Sequence, residues 1–252
     1  MDVFRRLAAC VPNIILPRTL YYALARPGNK LKSELKCFEQ LLRSDIAWSY
    51  GINLLTSAFP LRNHSHVAAY LRAKEYGNEL DYRTGDDDRF RNRTRYVHRT
   101  MRNRTAIFVA RTFNQKSPPP TNLTLFRKGE HFIGTRAFYD FLTSSAISRS
   151  LLAWAMDTKF PEDFFYATLH RHPAAPHGDP YLVTESRDPY MSSAHARVNI
   201  FEYRKHNQRA VSSSDDEDVD VRNERPGGLL LTLWSSDKVM IMLGYFLNML
   251  VG

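Results

Sequence analysis

Apolar residues recur at helical spacing first in the stretch from Leu31 to Ile46, where Leu31, Leu35, Phe38 and Leu42 fall on one stripe. The following AWSYGINLLTSAFPL reads as a buried strand running into a proline-containing turn. HSHVAAYLRAK places Val67, Tyr70 and Leu71 on one side of a short helix, with Ser65 as its expected cap. A β-branched run from Asn13 predicts an earlier strand. After the SPPP loop at 117–120, Leu125–Phe126 and His131–Gly134 predict short strands, and Arg136–Leu142 opens a helix. Ser144 or Ser145 then caps a helix whose stripe is Ile147, Leu151 and Trp154. Alternating strands and helices up to about His172 predict an α/β unit.

Residues 81–104, DYRTGDDDRFRNRTRYVHRTMRNR, break this texture. Their eight arginines stand mostly at alternate positions, and period two predicts an extended segment with one cationic face. Further on, SSSDDEDVD at 212–220 is too polar to bury an apolar face. This predicts three parts: a folded unit over 1–206, a polar acidic linker over 207–226 and a hydrophobic tail over 227–252. The tail is interrupted by Ser235, Ser236, Asp237 and Lys238, which argues against a continuous membrane span and leaves a non-native or a membrane-associated tail as the alternatives.

Composition narrows the function classes less than patterning does. A net charge of +9 favours an anionic partner, be it nucleotide phosphate, anionic membrane or nucleic acid. Nucleic acid is the poorest of these, because no aromatic platform or recognisable module accompanies the arginines. Cys10 and Cys37 are too few for a disulfide framework and lack zinc-knuckle spacing. The first twenty residues carry arginines where a secretory leader is apolar. Four sequons, at Asn63, Asn92, Asn103 and Asn122, fit a lumenal or extracellular protein. No phosphate-binding loop, dinucleotide fingerprint or nucleophile elbow is present.

Two places offer carboxylate chemistry. Asp86–Asp88 satisfies the D-x-D pattern that holds a divalent cation, but arginines begin at the next position, so salt bridging is the expected fate of these acids. In DTKFPEDFFYATLHR (157–171), Pro161 suits the start of a helix and Glu162 and Asp163 its acidic first turn. A carboxylate fixed there can also accept a proton from a sugar hydroxyl. Phe164, Phe165 and Tyr166 are then expected to pack the helix and line a pocket.

Three blocks carry a resemblance to a known family. WSYGINLLTSAFPLRNHS (48–65), LFRKGEHFIGTRAFYDFL (125–142) and WAMDTKFPEDFFYATLHR (154–171) keep the order and approximate spacing of blocks in the core-2/I-branching β-1,6-N-acetylglucosaminyltransferases, relatives of peptide O-xylosyltransferases. The resemblance implies a partial GT-A-like fold, a mixed sheet flanked by helices, and an inverting, metal-independent transfer from UDP-N-acetylglucosamine to an O-glycan acceptor without a cofactor. It also implies Golgi membrane association with the catalytic domain on the lumenal side. Asp163 aligns with the catalytic glutamate and Glu162 with the acid before it, in swapped order. Asp81 falls at an acceptor-binding glutamate. Arg91, with Arg89 beside it, falls in a sugar-contacting stretch. Cys10 and Cys37 are spaced like two family cysteines that take part in disulfides.

Departures are equally specific. Ala58 replaces an acid, Lys128–Gly129–Glu130 disrupts the second block, and no match to the UDP-facing basic residues follows Arg171. The alternatives are therefore a xylosyl- or other glycosyltransferase of the same family, or a non-catalytic, vestigial glycan-binding homologue.

Overall fold

The computed structural model describes residues 26–54, 58–60, 64–73, 77–80, 82–84, 87–104, 107–127 and 132–178. It also gives Arg6, Ala9, Cys10 and the backbone pairing of four further strands. In chain order the elements are β1 (Ile14–Ile15), α1 (Asn29–Leu42), β2 (Tyr50–Leu54), β3 (Ala58–Pro60), α2 (His64–Ala73), β4 (Glu79–Leu80) and β5 (Arg83–Thr84). There follow α3 (Asp88–Arg95), β6 (Tyr96–Arg102), β7 (Ile107–Gln115), a 3-10 turn (Pro120–Asn122), β8 (Phe126–Arg127), β9 (Phe132–Thr135) and α4 (Arg136–Ser144). The rest are α5 (Ala146–Ala155), α6 (Glu162–His170), β10 (Phe201–Tyr203), β11 (Gly228–Trp234) and β12 (Val239–Tyr245). This is an α/β fold with helices flanking small sheets.

The largest sheet has six strands in the order β1-β11-β12-β2-β9-β4. It is mixed: β12 runs parallel to β2, pairing Val239 with Tyr50 and Leu243 with Leu54, while the other pairings are antiparallel. The chain from 228 to 245, the apolar run that the sequence sets apart as a tail, thus supplies two neighbouring strands of this sheet. Among the described residues no helix is long and apolar enough to cross a membrane.

An aromatic cluster ties α1, α4 and α6 to the sheet. Phe38 on α1 meets Tyr139 on α4 at 4.8 Å and Tyr166 on α6 at 6.0 Å, and Phe132 on β9 meets Tyr166 at 4.9 Å. Each such pair adds about 0.5–1.5 kcal/mol beyond the area it buries. All four rings are almost wholly buried. Tyr139 lies flush over β2 because Gly51 has no side chain; a Cβ there would stand 2.7 Å from the ring.

Caps fix the helix starts. Asp87 accepts from the Phe90 N–H, Thr135 from Phe138 and Ser145 from Ser148, so Ser145 caps α5 as expected. α2 already includes His64, which puts Ser65 inside the first turn and not at the cap.

The arginine-rich segment departs from its expected form. Its alternation predicts an extended chain, yet residues 88–95 are helical and strands form only at 83–84 and 96–102. Arginine is a good helix former, and the Asp87 cap supplies a start signal that period two alone does not reveal. Arg89, Arg91, Arg93 and Arg95 are consequently spread around α3, with Arg93 turned inward and the others exposed.

The Gly51→Ala variant should lose about 1–3 kcal/mol of stability, because Tyr139 must move out of a filled layer. Denaturant unfolding checks this, and an unchanged midpoint would contradict the close fit.

Candidate active site

The entry to α6 is an unusual piece of backbone. Phe160 adopts φ 54°, a left-handed conformation, directly before Pro161. For a bulky residue this costs of order 1–3 kcal/mol unless the surroundings enforce it. Lys116, just past the end of β7, anchors the turn that precedes Phe160. Its ammonium donates to the Trp154 carbonyl and the Thr158 hydroxyl, each at 2.6 Å, pairs with the Asp157 carboxylate, and lies 4.2 Å from the Trp154 ring. Burial lowers its pKa, and the Asp157 partner opposes that shift. The His98 N–H also donates to the Asp157 carbonyl at 2.7 Å. The His98 ring is buried and kept neutral, its pKa lowered to about 4 chiefly by desolvation and further by Lys159, Lys116 and Arg93. With Nδ1 3.0 Å from the Tyr96 carbonyl, the neutral ring carries its proton there and donates it.

Pro161 takes the cap position with helical dihedrals, and its carbonyl accepts from the Phe164 and Phe165 N–H groups. The first two helical residues then diverge. Glu162, on the same face as Tyr166 one turn later, points at α1 and is buried, 3.2 Å from the Lys30 ammonium. Asp163 lies a further hundred degrees or so around the helix, toward α3. There it accepts from Arg93 Nη1 at 2.6 Å, and its side chain keeps 26% of its exposure. Arg93 is held in turn over the rings of Phe90 and Phe160, at 5.5 and 5.9 Å. Of the two acids, Asp163 alone combines a fixed orientation with access to solvent.

Behind them sits a second carboxylate that sequence reading missed. Glu34 on α1 accepts from the Tyr166 hydroxyl at 2.5 Å in a buried setting. Its pKa is raised to about 7, first by burial and also by Glu162, while Lys30 and the Tyr166 hydrogen bond act the other way. Nearby, burial pushes the Cys37 thiol up to about 12. Cys37 is a free, buried thiol and Cys10 a free, exposed one. Lys30 and Glu34 share a helical face at the i,i+4 interval, which is the one trace of this cluster in the sequence.

The other expected site residues scatter. Arg89 and Arg91 are exposed on α3, and Arg91 pairs with Asp88 at 2.8 Å. Asp87 is taken up by the cap and by Arg127. Asp81, Asp86 and Asn63 lie outside the described residues. Among the described residues no three His, Cys, Asp or Glu side chains converge on a metal position. Asn92, Asn103 and Asn122 are exposed. Phe164, Phe165 and Tyr166 do not line a pocket as expected: all three are completely buried in the core. Phe164 packs against Phe90 on α3 and Trp154 on α5, and Tyr166 against Phe38 on α1 and Phe132 on β9. A cleft of about 420 Å³ opens instead at the far end of α6, lined by Asn122, Thr124, Phe126, Thr168, Arg171 and His172 among others.

Comparison with known proteins bears on what these acids belong to. The family model for the Core-2/I-Branching enzyme matches residues 2–219. The chain belongs to the Core-2/I-branching enzyme family. It is 29% identical over 172 residues to a human N-acetyllactosaminide β-1,6-N-acetylglucosaminyl-transferase, covering 68% of this chain and 42% of the relative. The mouse protein of that name is 31% identical over 171 residues, with the same coverage. A rat β-1,3-galactosyl-O-glycosyl-glycoprotein β-1,6-N-acetylglucosaminyltransferase 3 is 27% identical over 180 residues, covering 70% of this chain and 39% of the relative. This family member therefore spans about two-fifths of the length of the curated relatives it matches.

A raised carboxylate pKa gives a signed prediction. Glu34 is protonated in the folded chain below about 7 but ionises near 4.5 when unfolded. Its contribution to stability is complete below the unfolded value and is lost as pH rises through 7. His98 works in the opposite sense, costing stability as pH falls from about 6.5 towards 4. The difference between wild type and Glu34→Gln, which keeps an acceptor for Tyr166, isolates the first effect. The variant should gain on wild type between pH 5 and pH 8 in denaturant unfolding, and a constant difference would contradict it.

Proposed function

We propose that this chain carries the acceptor-activating part of a GT-A-like, inverting β-1,6-N-acetylglucosaminyltransferase, with Asp163 as the general base. One observation carries the reading: the block that aligns with the family's catalytic acid presents a single oriented, solvent-reached carboxylate, 2.6 Å from Arg93 at a rigid helix start. Asp163 takes the proton from the acceptor's 6-hydroxyl as its oxygen attacks the anomeric carbon of UDP-N-acetylglucosamine. The new O6–C1 bond forms on the face opposite the breaking C1–phosphate bond, UDP departs, and the α-linked donor yields a β linkage. Arg89 and Arg91 on the exposed side of α3 are the proposed sugar contacts, with Asp81 nearby in sequence. Basic side chains, in place of a divalent cation, offset the charge on the departing UDP. The proposed setting is the Golgi lumen, with an O-glycan or glycoprotein as acceptor.

A vestigial, glycan-binding homologue is the second reading. It is favoured by Arg93, which already engages the Asp163 carboxylate, and by the aspartate standing where the family has a glutamate, one methylene shorter.

Release of UDP from UDP-N-acetylglucosamine, with and without an O-glycan acceptor, tests the proposal. The expected result is slow, acceptor-dependent release that EDTA leaves unchanged. Asp163→Asn should lower it about 100-fold or more. Asp163→Glu, by restoring about 1 Å of reach, should raise it by up to about 100-fold. Release that ignores the acceptor, or survives Asp163→Asn, overturns the assignment. Acceptor binding without turnover in either protein would leave the vestigial reading standing in its place.

A further inference from the structure

The β6–β7 hairpin stands apart from the main sheet as a two-stranded ladder. Among the described residues the large apolar side chains left exposed are Met101, Ile107, Phe108 and Phe113, and all four are on it. Phe113 retains 94% of its accessible surface. The same hairpin carries the exposed Arg99, Arg102, Arg104 and Arg111, and no Asp or Glu occurs in the sequence between Asp88 and Glu130. Its β6 side is engaged at its base, where the His98 N–H meets the Asp157 carbonyl. Among the described residues no strand pairs with the outer edge of β7, which is nine residues long. Natural proteins commonly shorten, cover or charge such an edge, because its unpaired N–H and C=O groups template another strand.

We propose that the outer edge of β7 binds an acidic, extended polypeptide as an added strand. Main-chain hydrogen bonds supply the affinity, and alternate side chains supply the selection. Ile107, Val109 and Arg111 project to one face of β7, with Arg102 opposite Ile107 on the neighbouring strand, and the register shifts between Arg111 and Gln115, where Phe113 stands exposed. The four arginines, lacking acidic neighbours along the hairpin, favour carboxylates on the incoming chain. An anionic bilayer shares the charge preference but not the backbone chemistry. Inserting an open strand edge into lipid would leave its amides unpaired.

The hairpin is rooted at the candidate active site. β6 continues directly from α3, which holds Arg93, and Lys116 at the end of β7 grips the loop that leads to Asp163. A polypeptide strand on β7 would therefore lie along a hairpin whose base joins the turn that leads to Asp163. That this polypeptide is the glycoprotein acceptor rests on the transferase reading above.

Fluorescence anisotropy with the full chain tests the binding surface directly. The probe is a fluorescein-labelled peptide of roughly eight residues alternating glutamate and threonine, beside its lysine counterpart and a copy N-methylated at alternate amides. The acidic peptide should bind at least about tenfold more tightly than the lysine one, and more weakly as salt is added. N-methylation should abolish binding. Arg102→Glu with Arg111→Glu should weaken it about tenfold or more. Phe113→Ser, which alters a solvated side chain, should weaken it without shifting thermal unfolding. Equal binding of the N-methylated peptide, or phosphatidylserine vesicles bound in preference to the peptide, overturns the proposal. So does self-association that the charge reversals abolish, since the edge would then serve a second copy of this chain.

Kinetics separate the two readings. If the polypeptide is the acceptor, the double variant raises KM for an acidic glycopeptide and leaves turnover of the free saccharide unchanged. An equal effect on both substrates overturns the acceptor role. Failure of the transferase reading shows differently, as no turnover of either substrate while the peptide still binds.

Discussion

The hydrogen bond from Tyr166 to Glu34 crosses the contact between α6 and α1 where both helices are buried. A carboxylate in that position needs a donor, and α6 can supply one only in a single rotation about its axis. That rotation also turns Glu162 to Lys30 and leaves Asp163 facing α3. The division of labour between adjacent acids thus follows from a contact one helical turn away. Glu162 is thereby committed to the core, while Asp163, about a hundred degrees further around the helix, keeps part of its exposure.

The hairpin depends on the same region for a different reason. Lys116 joins the base of β7 to the 154–158 turn through two hydrogen bonds and an ion pair, and its side chain is almost entirely withdrawn from water. A buried ammonium is tolerated only when its protons are satisfied, so hairpin and turn are locked as one unit. The strained Phe160 follows two residues later. The base of the hairpin and the start of α6 therefore share their supports.

How much of this was legible in the sequence varies with the range of the interaction. Helices α4, α5 and α6 were readable because their signals are local: a serine cap at Ser145, a proline before two acids, and regular apolar spacing. The helix α3 was not, since alternating arginines imitate a strand and the decisive cap, Asp87, hid within a run of three acids. Nor could sequence show that Glu162 is buried, because Lys30 and Glu34 approach it from a helix more than a hundred residues earlier; Tyr166 and Glu34 are 132 positions apart. The aromatic triplet of α6 looked like a pocket wall because large apolar side chains serve cores and ligand sites equally well. Which of the two they serve is settled by neighbours that no local pattern records. The family blocks located the acids but could not orient them.

The order of strands has a consequence for the chain as it leaves the ribosome. The parallel neighbour of β2 in the sheet is β12, far later in the sequence, whose last paired residue is Tyr245. At ordinary elongation speeds of about 5–20 residues per second, some ten to forty seconds separate the synthesis of the two. Until then β2 has no neighbour but β9, which is itself made only at Phe132–Thr135, and its other edge stays open. Assembly of the main sheet thus waits on a strand that begins at Val239, 185 residues after β2 ends at Leu54. The nascent protein must keep an apolar strand from finding the wrong partner while it waits.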